Sequence, residues 1–353
     1  MAKERIYTID IARAISIMLV VAGHFKPDGS PDWWMSIYHV LHTFRMPLFL
    51  AVSGYTYIYL ERERADKRRS YGKFVLHKFQ RLMIPYFFIS VFVIGTKLLL
   101  GSGATDNPVS WASFHEMFYY PAAAPFVWFV YVLFFIFLVV PLFKTRKGLA
   151  VLFVAALILH FAPVHLPDKF LYVSYIKNML VFFVAGCLFH ELRNVRAFVM
   201  NMNFLVFVVL FVLFYMAKQK QWDMEDMPVC SFMASLTGAA LIIKIAKFIS
   251  ETGKVQQVFL SVSACSYTIY LFHTTFEGFT KAVFAKLPLQ LYIGDTAAFV
   301  IEAVTVISAG IILPMILHYV ITRKSKIVSY LIGAKYKKQS LLSGKILCGE
   351  QFK

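Results

Sequence analysis

Asp10, Arg13 and His24 lie within an apolar run near the start of the chain. Ionisable groups in such a run are costly and mark a bundle interior or a water-filled cavity. From Arg13 to His24 is eleven residues, about 1100° of helical rotation, which leaves the two roughly 20° apart around the axis. Their separation along that axis is about 16 Å. Asp10, three residues before Arg13, shares the face. The three residues therefore suit two depths of one cavity, Arg13 near one membrane surface and His24, which exchanges protons near neutral pH, near the other. The plainer readings are a local ion pair at the helix start and an interfacial histidine bonded to water or a carbonyl.

A second group follows. His39, His42 and Arg45 recur every three residues and so share a helix face. Pro47 frees a backbone carbonyl one turn back, and Ser53-Gly54 permits close helix approach. Helix packing alone is the preferred reading of this pattern. Residues 61–81 are strongly basic, with Arg62, Arg64, Lys67, Arg68, Arg69, Lys73, Lys78 and Arg81. The first five suit anionic lipid headgroups. Lys78 and Arg81 stand one turn apart where the next apolar run begins, and such a pair suits a phosphorylated ligand arriving from the cytoplasm.

These residues need a membrane to hold them. The chain has 353 residues, 59% hydrophobic and 16% charged, with a formal net charge of +17. The mean hydropathy of +0.66 excludes a nucleic-acid binder of that charge, and a 17% aromatic content excludes disorder. An all-α bundle is expected, because backbone in lipid must close its own hydrogen bonds. About 20 apolar residues span a bilayer. Ten windows qualify: 7–25, 35–60, 82–100, 126–143, 149–166, 173–190, 198–217, 229–249, 258–276 and 297–321. The first is read as a retained helix and not a signal peptide, since Asp10 and Arg13 interrupt it and no cleavage site follows. Residues 277–296 lie on the membrane or re-enter it. With the N-terminus inside, cytoplasmic segments carry 26 Lys and Arg, the outer loops 6 and the helices 4, of 36 in all. That asymmetry places both termini in the cytoplasm. Residues 1–325 form the membrane domain and 326–353 a basic tail. Cys187, Cys230, Cys265 and Cys348 show no metal-ligand or disulfide spacing.

Several motifs taken in order resemble the acyltransferase 3 family of integral membrane acyltransferases. They are Arg13 with His24 and Asp10; Met46-Pro47-Leu48-Phe49 with Ser53-Gly54-Tyr55; Lys78-Phe79, Arg81 and Ile84-Pro85-Tyr86; Trp128-Phe129; Ser266-Tyr267, Ile269-Tyr270-Leu271 and His273; and Pro314. The match spans roughly residues 5–325. It departs from the family pattern at Arg45 and before Trp128, where histidine is frequent, and at Lys78, where arginine is common. These departures touch donor or acceptor binding. Some members carry a further hydrolase-like domain, and none is expected here.

The resemblance implies transfer of an acyl group, usually acetyl, from cytoplasmic acyl-CoA (acetyl-CoA) to a hydroxyl of a cell-surface or lipid-linked saccharide. It implies a multi-pass protein of a bacterial-type plasma (inner) membrane, with membrane lipids, acyl-CoA and a glycan or glycolipid acceptor as partners and no metal. His24 would be the general base, with an acyl-histidine relay as a variant. Asp10 would hold Arg13. Lys78 and Arg81, with Arg13, would meet the donor phosphates. Trp128 would contact substrate, and Arg45, Ser53, Tyr267 and His273 could stabilise the oxyanion. Glu302 and Lys177 would snorkel or line the acceptor entrance. A transporter or flippase of a glycan or small anionic solute would also suit ten helices with buried charges, although no internal repeat supports it. A non-catalytic scaffold acting through the basic tail is a third possibility.

Overall fold

Apolar runs in lipid satisfy their backbone by forming helices, and among the described residues all regular structure is helical. The computed structural model describes residues 7–63, 70–100, 109–121, 124–164, 166–167, 169–219, 228–287, 294–334 and 336. The principal helices are α1 (Tyr7–Ala22), α2 (Asp32–Glu63), α3 (Tyr71–Lys78), α4 (Ile84–Leu100), the single turn α5 (Ser113–Glu116), α6 (Trp128–Val139) and α7 (Arg146–Phe161). They continue with α8 (Val173–Glu191), α9 (Arg193–Asn201), α10 (Phe204–Gln219), α11 (Pro228–Ser250), α12 (Gly253–Phe284), α13 (Asp295–Lys324) and α14 (Lys326–Leu331).

Each of the ten apolar windows falls on a helix, but fewer of those helices are long and apolar enough to cross a membrane. Among the described residues six are, and seven if α9 and α10, bent by 93°, count as one broken span. The helices α1 and α7 have 16 residues each, about 24 Å at the helical rise, against a hydrocarbon core of about 30 Å. The segment after residue 276, expected on or re-entering the membrane, begins as a plain continuation of α12 to Phe284. Residues 288–293 lie outside the described residues.

The described residues fall into two compact units. The first comprises those up to Val52 and from Arg193 to Val320. Here α1 is buried on nearly every side, with Ile11, Ala12, Ala14, Ile17 and Val21 fully covered, and it packs on α11 and α12. Pro47 has no N–H, so the Thr43 carbonyl one turn earlier loses its helical donor. Ser235 Oγ, on α11, donates to it at 2.7 Å. The bend after α9 has a similar cause. Lys244 Nζ donates to the carbonyls of Val199, Met200 and Met202 at 3.2, 3.0 and 2.6 Å, which completes the open C-terminal end of α9.

The second unit comprises Ser53 to Leu192 and the residues from Ile321. The close approach expected at Gly54 is present: a side chain there would overlap the Phe183 backbone, and Cys187 Sγ–H donates to the Gly54 carbonyl at 3.2 Å. Arg62 is one of the five residues expected to meet lipid headgroups. It pairs with Glu191 at 2.8 Å and donates to the Lys144 carbonyl at 2.9 Å. Residues 64–69, the rest of the first basic cluster, lie outside the described residues. Lys177, expected to snorkel or line the acceptor entrance, donates to the Ala162 and Val164 carbonyls at 2.7 and 3.1 Å, closing the end of α7. The tail begins folded: α14 follows α13 directly, and Ile332 just beyond it is fully buried.

Candidate functional site

The first unit gathers the polar residues of α1, α2 and α12. Helix α1 stops at Ala22 and the chain turns tightly. Gly23 N donates to Leu19 O at 3.0 Å, His24 N to Val21 O at 2.9 Å and Phe25 N to Ala22 O at 3.2 Å. His24 therefore projects from a turn just past the helix, not from the helix itself. The turn is braced from below. Trp34 Nε1 donates to Phe25 O at 2.9 Å, and Phe25 packs in a buried cluster with Trp34, Phe299, Ala303 and Val306.

Val20 O is the remaining open carbonyl of that helix end, and Arg45 Nη1 donates to it at 3.4 Å. The guanidinium lies directly on Gly23, where any side chain would collide with it. Its Nη2 donates to His42 Nε2. His42 Nδ1 faces the Tyr38 carbonyl at 2.9 Å, so Nδ1 carries the proton and Nε2 is the acceptor. Arg45 is thus held at both Nη atoms and is only 8% exposed. His39, the third member of the sequence pattern, is exposed.

Helix α12 supplies the opposite wall. The His273 ring meets the His24 ring edge to face, with centroids 4.9 Å apart. His273 Nδ1 donates to Tyr270 O at 2.8 Å and Ile269 O at 3.1 Å, which leaves Nε2 as the ring's acceptor atom. Glu277 and Lys281 follow at four-residue intervals on the same face. Glu277 opens the segment expected on or re-entering the membrane, yet it is helical and 2% exposed. Its side chain rests against Gly310 of α13, where an added Cβ would come within 3.0 Å of Glu277 Oε1 and 2.9 Å of its Cγ. Lys281 Nζ stands over the Phe25 ring at 5.2 Å. The charged and titratable groups that act on His24 are His273, Arg45, His42 and Lys281. His273 is fully buried, whereas His24 retains partial exposure. Of the two facing rings, His24 is therefore the more accessible.

Asp10 and Arg13 form an ion pair at 3.1 Å, with Arg13 8% exposed. They lie nine residues or more before the helix end, about 14 Å along the axis, and so form a separate station. Tyr267 is half-buried on α12. Beside it, Thr268 Oγ1 and His318 Nδ1 form a buried hydrogen bond of 2.7 Å between α12 and α13.

Ser53, Lys78, Arg81 and Trp128 belong to the second unit. Between α3 and α4 the chain makes a π-turn, Phe79–Met83, in which Ile84 N donates to Phe79 O. Pro85, lacking an N–H, cannot donate to Arg81 O, and the ladder changes register before it. Lys78 precedes this turn and Arg81 lies in it. Lys78 Nζ sits 3.5 Å from the centroid of the Phe137 ring, and Arg81 Nη2 donates to Gly333 O at 3.3 Å. Trp128 opens α6 and its ring packs on Tyr175 at 5.1 Å. Among the described residues, no three His, Cys, Asp or Glu gather as metal ligands do.

The apolar helices and the buried His–Arg–Glu cluster define a multi-pass membrane protein with a polar centre suited to proton transfer. A model of an acyltransferase domain, the acyltransferase 3 family, matches residues 6–322, and the chain belongs to that family of membrane acyltransferases. Comparison with curated proteins gave no match. Comparison with solved structures gave none either.

Proposed function

We propose that this protein is a membrane O-acetyltransferase that moves an acetyl group from cytoplasmic acetyl-CoA to a hydroxyl of a cell-surface or lipid-linked saccharide. In this reading it crosses a bacterial-type plasma membrane ten times, with both termini in the cytoplasm. The observation that carries the reading is the setting of His24: partly open, on a braced turn, against His273 and Arg45. A neutral imidazole there removes the proton from the acceptor hydroxyl as its oxygen attacks the thioester carbonyl. Arg45, with Tyr267 as a further donor, offsets the charge that develops on the carbonyl oxygen. The C–S bond then breaks, and His24 returns its proton to the departing thiolate.

Asp10 holds Arg13 for the donor side. Lys78 and Arg81 are the proposed contacts for the donor phosphates, and Trp128 a substrate contact. Mass spectrometry of surface glycans from cells with and without the gene tests this reading. Loss of acetyl esters from one glycan is expected, and an unchanged ester pattern would remove the reading.

A further inference from the structure

Helix α14 has only six residues, yet it is fixed at both ends. At its start Ser325 Oγ accepts from Val328 N at 3.2 Å. At its end Gly333 takes a left-handed φ of 66°. Gly333 N donates to Tyr330 O at 3.1 Å and Ala334 N to Ser329 O at 2.8 Å. These two bonds close open carbonyls of the last turn, and the left-handed position suits glycine, which has no Cβ to clash. Ser329 is 1% exposed, Ile332 is fully buried, and the helix packs on α4. A helix capped and seated in this way holds the carbonyl that follows it in one place. That carbonyl, Gly333 O, accepts from Arg81 Nη2 at 3.3 Å. Arg81 lies in the π-turn from which α4 starts, so the segment and the turn are both tied to the same helix.

A guanidinium carries five N–H donors in one rigid plane. A bond from Nη2 to a fixed carbonyl sets the orientation of that plane and spends a single donor on it. A long side chain loses rotamer freedom when it binds a ligand, and one already oriented loses less. An oriented fork also meets two oxygens of one phosphate together. We infer that residues 325–334 belong to the donor site, the Gly333 carbonyl holding the Arg81 guanidinium in the orientation that meets the donor phosphates. This rests on the acetyltransferase reading and its assignment of Arg81 to those phosphates. Gly333 acts through Arg81 and is not assigned a contact with the donor.

The test uses membranes from cells lacking the gene, complemented with the full-length parent or a variant. Radiolabelled acetyl-CoA or acetyl-pantetheine, which has the thioester without the phosphates, is supplied, and label entering the endogenous glycan is measured per amount of protein. Gly333→Val puts a β-branched residue at a left-handed φ and so displaces the carbonyl. It is expected to raise the KM for acetyl-CoA about tenfold, the scale of one hydrogen bond to a charged group, with the maximal rate little changed. Gly333→Ala applies a milder strain at the same place and serves where Gly333→Val fails to reach the membrane. Ile332→Ala, which loosens the seat of the segment, should raise the same KM by less. The KM for acetyl-pantetheine should match the parent's in every variant. Once Arg81→Gln has raised the KM for acetyl-CoA, adding the Gly333 substitution should raise it no further. Independent, multiplying effects in that double variant, equal effects on the two donors, or a KM at or below the parent's in the Gly333 variant would overturn the inference and leave the acetyltransferase reading intact. A parental KM in Arg81→Gln would overturn it together with the assignment of Arg81. Absence of transfer by the parent would remove the acetyltransferase reading and the inference with it.

Discussion

The rings of His24 and His273 meet edge to face at 4.9 Å, one from the turn after α1 and the other from the middle of α12. His273 spends its Nδ1 proton on two carbonyls of its own helix and so presents a fixed ring to its neighbour. His273→Phe keeps the ring contact and removes both nitrogens. We expect about a hundredfold lower acetyl transfer, through loss of the acceptor Nε2 beside the base, with normal protein level in the membrane. A full rate in this variant would reduce His273 to a packing residue.

Arg45 joins Val20 O and His42 Nε2 from one guanidinium. A lysine has a single nitrogen and cannot span both. Arg45→Lys should therefore release the end of α1 and shift His24. A displacement of about 1 Å is enough to lower transfer about a hundredfold. Gly23→Ala, whose Cβ would strike the same guanidinium, should reproduce that loss. Transfer rates of the two variants in membranes check the pair.

Ser235 completes the carbonyl that Pro47 leaves open. Ser235→Ala leaves a buried acceptor unpaired, which costs about 1–3 kcal/mol. A lower thermal midpoint in detergent is expected, and the site geometry should survive in the molecules that remain folded.

Lys244→Met removes three hydrogen bonds from the end of α9. Faster amide hydrogen exchange is expected at residues 199–203, as the bend loosens. Unchanged exchange there would show that packing alone sets the 93° angle.

Much of this site was legible in the sequence, for local reasons. Helical periodicity put His42 and Arg45 on one face, and they touch. The three-residue step from Asp10 to Arg13 gave a pair that forms. The proline at position 47 announced an open carbonyl, although not the serine that fills it. What stayed hidden depends on packing between distant helices. No spacing rule links Val20 to Arg45, Thr43 to Ser235 or His24 to His273. Glu277 was missed for a different reason. Glu277, Gly278 and Lys281 lower the hydropathy beyond residue 276, so the apolar window closed while the helix continued for two more turns. Continuing the His273 periodicity by four residues would have found Glu277. The reach of Lys78 to the Phe137 ring was equally invisible, since it needs α6 in place.

The central claim is that His24 is the base of an acetyl transfer, and the most direct measurement is the rate of label transfer from acetyl-CoA to glycan by His24→Ala. The protein should reach the membrane at its usual level, bind in detergent as a folded species and transfer no label above background. Transfer by His24→Ala at the parental rate would contradict the account.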